Sequence, residues 1–314
     1  MLKLNPKFVK PLDYIFIFNP ISFFVIWVWI ALGSGSGRFF AGQGVWWLDA
    51  VTWQAVAEVG FLTIALGIAH YFAKFGFSAE KIEIWEETQL IWKNPKRTAI
   101  ILWMLAGFAL AGLLILDVVA GAIAILLFLL NGYLSGTTLI RQRSSVGWRL
   151  IIAILSGYGL FLFGWQIAIG VQMKALLYGL PYLLGWLAVY LLISQYSDHD
   201  LLLQDETTEE SAQPNRILIW IAAGLYVLAF AGGIIARDPV LSVAAMLASP
   251  LFIILVFRPK LIWLVRTSRY AFLFIALVIC VEYPWLFAVL LVNYYVWKFY
   301  YYNRWDVNYP TFQV

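Results

Sequence analysis

Long apolar runs separated by short polar connections dominate the pattern of this chain. Runs of about 17 to 25 apolar residues are typical of helices that cross a bilayer, because about 20 helical residues span its hydrocarbon core. Ten such runs occur, at 15–33, 53–75, 98–116, 118–139, 149–171, 175–195, 216–236, 239–257, 268–283 and 285–301. The pattern predicts an all-α polytopic integral membrane bundle of nine or ten transmembrane helices, forming a single membrane domain over residues 1–314. The count is open because Pro284 either kinks one long helix or separates a short ninth span from a tenth.

Composition supports the same class of protein. Hydrophobic residues make up 63% of the chain and charged residues only 12%, with a mean hydropathy of +0.84, which excludes an ordinary soluble domain. The net charge of +4 is explained by basic loops that face anionic lipid, and it gives no case for nucleic acid as a partner.

Lys and Arg residues are concentrated in alternate connections, a bias that marks the cytoplasmic side of membrane proteins. They precede the first run and lie after the second, fourth and eighth runs, whereas the opposite connections carry only Arg38, Lys174 and Arg237. We therefore expect the amino terminus and the three large loops, 76–97, 140–148 and 194–215, to be cytoplasmic. Any chemistry is expected on that face.

The third of these loops is acidic, with six carboxylates. Among them are Asp198, Asp200 and Asp205. Such a cluster at a membrane surface either gathers a divalent metal ion for a phosphorylated substrate or is a solvated turn.

Several segments occur in an order that carries further information: Asn19-Pro20-Ile21-Ser22-Phe23, Glu80-Lys81-Ile82-Glu83, Asn94-Pro95-Lys96-Arg97-Thr98-Ala99, Tyr133-Leu134-Ser135 and Leu139-Ile140-Arg141-Gln142-Arg143. In this order, over most of the chain, they resemble the motifs of the UbiA-type intramembrane prenyltransferase superfamily. The resemblance implies a UbiA-like bundle around a lipid-accessible groove. In that family, two Asp-rich loops hold magnesium ions that grip the diphosphate of a polyprenyl donor while an aromatic acceptor attacks.

The resemblance also implies roles for particular residues. Asp198, Asp200 and Asp205 would be metal ligands, with magnesium as the cofactor. Lys96, Arg141, Arg143 and Tyr133 would bind substrate, the three cations as grips on the diphosphate oxygens.

This chain departs from the family pattern at the first Asp-rich loop. The aligned positions carry Ala69, His70, Ala73 and Phe77, none of which offers an oxygen ligand. Two hypotheses follow. The chain is a prenyltransferase-like protein that handles an isoprenoid lipid with a degraded metal site, or it is a non-catalytic subunit of a larger membrane complex that binds a lipid, quinone or pigment. Whether it is an enzyme stays open at this point.

A few polar residues lie within or beside the apolar runs, and their possible roles differ. Gln54, Glu58 and Gln166 are either functional groups or links between helices. Three acids, Asp117, Asp238 and Glu282, fall at span ends, where we expect water to solvate them.

Overall fold

The computed structural model describes residues 21–42, 52–75, 95–134, 146–195 and 214–305, and the regular structure in these ranges is entirely helical. The helices in chain order are α1 (Ile21–Phe40), α2 (Trp53–Phe75), α3 (Pro95–Leu116), α4 (Val118–Phe128, continued by a π-helix at Leu129–Leu134), α5 (Val146–Ile169), α6 (Met173–Ile193), α7 (Arg216–Ile235), α8 (Pro239–Phe257), α9 (Leu261–Glu282) and α10 (Pro284–Trp305).

Successive helices run in opposite directions, so the bundle has two distinguishable ends. Hydrogen bonds from Gln166 to Asp117 and from Ser36 to Asp238 bring the short connections together at one end. We call this the turn end; it holds the connections at 117, 170–172, 236–238 and 283. The opposite end, where α2, α4 and α6 finish and α3, α5 and α7 begin, is called the loop end.

Within the described ranges, eight helices are long and apolar enough to cross a membrane, namely α1, α2, α3, α5, α6, α7, α8 and α9. Their outer faces expose large apolar side chains such as Phe108 and Ile235, as expected for surfaces that contact lipid. By the length and composition of its helices the chain is a multi-pass membrane protein. The count of nine or ten spans stays a prediction, because it depends on α4, a shorter apolar helix, and on α10, which carries Asn293, Lys298 and Asn303.

The chain breaks at Tyr283 rather than continuing as one kinked helix. Tyr283 has non-helical dihedral angles (φ −122°, ψ 77°) and ends α9, and Pro284 is the first residue of α10. Proline is well suited to this position, because its missing N–H needs no partner in the first turn.

The first helix ends further along the chain than the sequence predicts. The expected span was 15–33, with 34–52 as a connection, whereas α1 continues to Phe40. Gly33 explains the difference, because it lets α1 approach α5 so closely that a Cβ atom there would overlap the Phe161 carbonyl group. Gly164 on α5 does the same against the Ile30 carbonyl group. This close packing outweighs the low helix propensity of glycine.

The buried side chains form three clusters. The first runs through the centre and the turn end of the bundle, with Trp29, Phe161 and Trp165 among its largest members. The second lies between the loop-end halves of α6, α7, α8 and α9, and the third between α2, α3 and Phe128 of α4. Among the described residues, the second and third clusters are therefore separate from each other, and α1 and α5 of the first cluster lie between them.

Candidate functional site

The residues that the sequence predicts for substrate and metal binding are placed only in part. Lys96 lies in the first turn of α3 and Tyr133 lies in the π-helix after α4, both at the loop end. The other predicted site residues lie outside the described residues: Arg141, Arg143, Asp198, Asp200 and Asp205. Their roles therefore stay predictions.

The loop end of α4 widens into a π-helix, a rare form that is frequent at functional sites. Within it, the Asn131 side chain donates to the Leu127 carbonyl oxygen (2.9 Å) and accepts from the Ser156 hydroxyl of α5 (3.2 Å). The next residue, Gly132, packs directly on Ala69 of α2, where an added Cβ atom would lie 3.4 Å from the Ala69 Cα and Cβ atoms. Gly132 directly precedes the Tyr133-Leu134-Ser135 segment of the resemblance, and it therefore lies against the α2 residue that aligns with the start of the first Asp-rich loop.

The positions that align with the first Asp-rich loop begin at this contact. Ala69 is completely buried. The Nδ1 atom of His70 lies 2.9 Å from the Leu66 carbonyl oxygen, and because a carbonyl only accepts, Nδ1 carries the proton and Nε2 is left as an acceptor. One imidazole nitrogen does not suit magnesium, which prefers oxygen ligands. Across the described ranges no group of three or more His, Cys, Asp or Glu side chains could hold a metal ion.

A buried carboxylate network lies at the turn end, where the sequence led us to expect solvated acids. Asp238 is only 5% exposed, which corrects that expectation. Its Oδ2 atom accepts from the Tyr182 hydroxyl (2.7 Å) and the Ser36 hydroxyl (3.2 Å), and its Oδ1 atom accepts from the Leu241 N–H (3.1 Å). These bonds supply the partners that a buried carboxylate requires. Asp238 also caps the start of α8, so it ties α1, α6 and α8 together.

The segment Gly33-Ser34-Gly35-Ser36-Gly37 of α1 makes this network possible. Gly33 and Gly37 face α5, while Gly35 leaves room for the Glu282 carboxylate, which a Cβ atom would meet at 2.9 Å. Ser34 accepts a hydrogen bond from the Tyr283 hydroxyl (3.4 Å), and Ser36 reaches Asp238. One short stretch therefore contacts α5, α6, α8 and α9.

A second polar network links α2, α3, α4 and α5 at the same end. Gln166 donates to Asp117 (2.7 Å) and accepts from the Val171 N–H (2.6 Å). Gln54 donates to Glu58 (2.8 Å), a carboxylate that is only 2% exposed. Gln166 thus acts as a link between helices, one of the two readings that the sequence left open.

Asp117 depends on hydrogen bonds for its charge. Burial alone raises the pKa of its carboxyl group, but the bonds from Gln166 and from the Ala120 and Val119 N–H groups outweigh burial and lower it below the usual 3.8. Because the pKa of this carboxyl group is lower in the folded than in the unfolded state, its ionisation stabilises the fold at pH values above the unfolded-state pKa. This contribution is lost as the pH falls below about 3.8 and through the folded-state pKa.

Substitution of Asp117 by alanine is expected to lower the free energy of unfolding by about 1 kcal/mol, because the α4 amino terminus loses its cap. Asp117→Asn keeps an oxygen that accepts from Val119 and Ala120 and is expected to lose less. Thermal unfolding in detergent micelles measures both. Equal midpoints for Asp117→Ala and the unaltered protein would contradict this role.

Sequence reasoning missed the turn-end networks because their partners are far apart along the chain. Ser36 and Asp238 are separated by 202 positions, and Gln166 and Asp117 by 49. One signal was present in the sequence, since glycines four residues apart in an apolar run, such as Gly33 and Gly37, indicate close helix packing in membranes.

Comparison with known proteins adds no assignment. No protein-family model matches the chain, and no curated protein matches it.

Proposed function

We propose that this chain binds an isoprenoid lipid at its loop end, as the resemblance to UbiA-type proteins implies. The observation that carries the proposal is the contact between Gly132 and Ala69. It supports a shared site for the Tyr133-Leu134-Ser135 segment and the α2 positions that align with the first Asp-rich loop. The occupant is either a polyprenyl diphosphate or a quinone-like or pigment-like lipid, and transfer of a prenyl group is the second candidate function.

The division of the hydrophobic core also supports a lipid at this end. In the described part of the chain no partly buried residue packs against both the second and the third cluster. Between them lie α1 and α5. A long apolar chain is accommodated most easily where the helices are not already packed into one core.

Lipid retention tests the proposal. We expect the purified protein to carry an isoprenoid lipid at a higher mole fraction than the membrane from which it was extracted, measured by mass spectrometry of the extracted lipid. An isoprenoid fraction equal to that of the membrane would contradict the proposal.

Paired cation variants distinguish the two kinds of occupant. If the lipid carries a diphosphate, Arg141→Ala combined with Arg143→Ala is expected to lower its retention, because charge-assisted hydrogen bonds to phosphate are lost. A neutral quinone would be retained. The matched control is Lys174→Ala, which removes a cation at the turn end, where the ammonium lies 4.7 Å from the Phe40 ring centre.

A further inference from the structure

The helices α2 and α4 run in the same direction and touch near their loop ends. An added Cβ atom on Gly132 would point at Ala69 and lie 3.4 Å from its Cα atom. Each residue of an α-helix turns the side-chain direction by about 100°, and a residue of the wider π-helix by somewhat less. When two parallel helices face each other, the residue after the contact on one and the residue before it on the other therefore project to the same side. Here these residues are His70 and Asn131.

The side on which they project lies inside the bundle. Thr63 is two helical turns before His70 on the same face of α2, and it accepts a hydrogen bond from Trp27 Nε1 of α1 (3.0 Å). Asn131 accepts from the Ser156 hydroxyl of α5. The other side of α2 packs against α3 in the third cluster. His70 and Asn131 therefore face a region that α1 and α5 border.

Both side chains bond to a carbonyl oxygen four residues earlier on their own helix, which fixes the groups that they present. The bond from His70 Nδ1 to Leu66 leaves Nε2 as an acceptor. Asn131 donates one N–H to Leu127 and accepts from Ser156 through Oδ1, and its amide has a second N–H to donate. The same region thus receives a hydrogen-bond acceptor from α2 and a donor from α4.

A hydroxyl group matches this pair, because it donates one hydrogen bond and accepts another. A diphosphate oxygen or a quinone carbonyl oxygen only accepts and would meet the lone pair of His70 Nε2. We propose that His70 and Asn131 hold the hydroxyl group of an isoprenoid alcohol or a quinol, which donates to His70 Nε2 and accepts from the Asn131 amide. This inference rests on the proposed function and names the head group that the lipid site prefers.

Two pairs of lipid probes test the preference and distinguish the two sources of the hydroxyl group. The first pair is geranylgeraniol and its methyl ether, and the second is decylubiquinol and decylubiquinone, compared in oxygen-free buffer. Binding to the purified protein in detergent is measured for each probe. We expect the hydroxyl form to bind about tenfold more tightly than its partner, as is typical when a buried polar group loses its hydrogen-bond partner. The pair that shows this preference identifies the source.

Variants at the two positions are expected to change binding in different ways. His70→Phe keeps a ring but removes the acceptor, so the alcohol and the ether should bind equally. His70→Gln retains an acceptor oxygen and should keep the preference, which a purely structural role would not explain. Asn131→Leu should weaken the alcohol and the ether alike, because both oxygens accept from the amide. The matched control is Thr63→Val, which removes a hydroxyl group from the same face of α2 and should leave the preference unchanged.

The unaltered protein alone can overturn the inference, so the test holds even if a variant does not fold. Equal binding within both pairs would reject the hydroxyl group as the preferred head while lipid binding itself stands. Failure of all four probes to bind would overturn both this inference and the proposed function. A preference that persists in His70→Phe would also overturn the inference, because the hydroxyl group would then be held elsewhere.

Discussion

Alanine at Gly33 or at Gly164 is expected to lower the free energy of unfolding by about 3 kcal/mol, the upper part of the range for overpacked cores. At both positions the atoms in the way belong to the backbone of the facing helix rather than to a flexible side chain. An alanine Cβ at Gly33 would lie 2.8 Å from the Phe161 carbonyl carbon, and one at Gly164 would lie 2.8 Å from the Ile30 carbonyl carbon. The two helices must therefore separate to accept the methyl group.

Two other helical glycines provide matched controls. Gly107 of α3 and Gly224 of α7 have no atoms within 4 Å of an added Cβ atom. Alanine there is expected to leave stability unchanged or to raise it by up to about 1 kcal/mol, because alanine is the better helix former. Thermal unfolding of all four variants in one detergent makes the comparison. Similar midpoints for Gly33→Ala and Gly107→Ala would show that the contact between α1 and α5 is looser than described.

Much of the helical architecture follows from the apolar pattern. The predicted spans 53–75 and 239–257 are confirmed as α2 and α8 with the same bounds. The start of α8 is marked in the sequence by Asp238-Pro239, because aspartate is a favoured N-cap residue and proline a favoured first helical residue. Local chemistry of this kind is visible without any knowledge of neighbouring helices.

The bounds of α1 could not be found in the same way. Gly33, Gly35 and Gly37 are poor helix formers, so the segment was expected to be a connection. They are helical because α5 and Glu282 approach them closely. The helix propensities of the residues do not predict such tertiary contacts.

The burial of Asp238 illustrates a second limit. A carboxylate at a span end is ordinarily solvated, and nothing nearby in the sequence suggests otherwise. Its hydroxyl partners come from Tyr182, 56 positions away, and from Ser36 on the first helix. The predicted orientation in the membrane and the predicted metal ligands are not tested by these contacts and stay predictions.

The loop-end geometry bears on the second candidate function, prenyl transfer. Given geranylgeranyl diphosphate, magnesium and a panel of aromatic acceptors, the purified protein is expected to transfer the prenyl group at a rate on the order of a thousandfold below that of a UbiA-type enzyme with both Asp-rich loops. This ratio corresponds to about 4 kcal/mol of transition-state stabilisation, a reasonable value for one missing metal ion. The enzyme assayed alongside is the positive control.

The structural reason lies at Ala69 and His70. Ala69 is completely buried against Gly132, and the imidazole of His70 is already hydrogen-bonded to Leu66, so neither position offers an oxygen to an ion. Robust turnover that is lost in both Asp198→Ala and Asp200→Ala would contradict this expectation and show that the chain is an enzyme. The second acidic loop would then be sufficient to stabilise the departing diphosphate. Absence of transfer by a preparation that still retains an isoprenoid lipid would identify a binding protein, because retention shows that the lipid site is intact while the chemistry is missing.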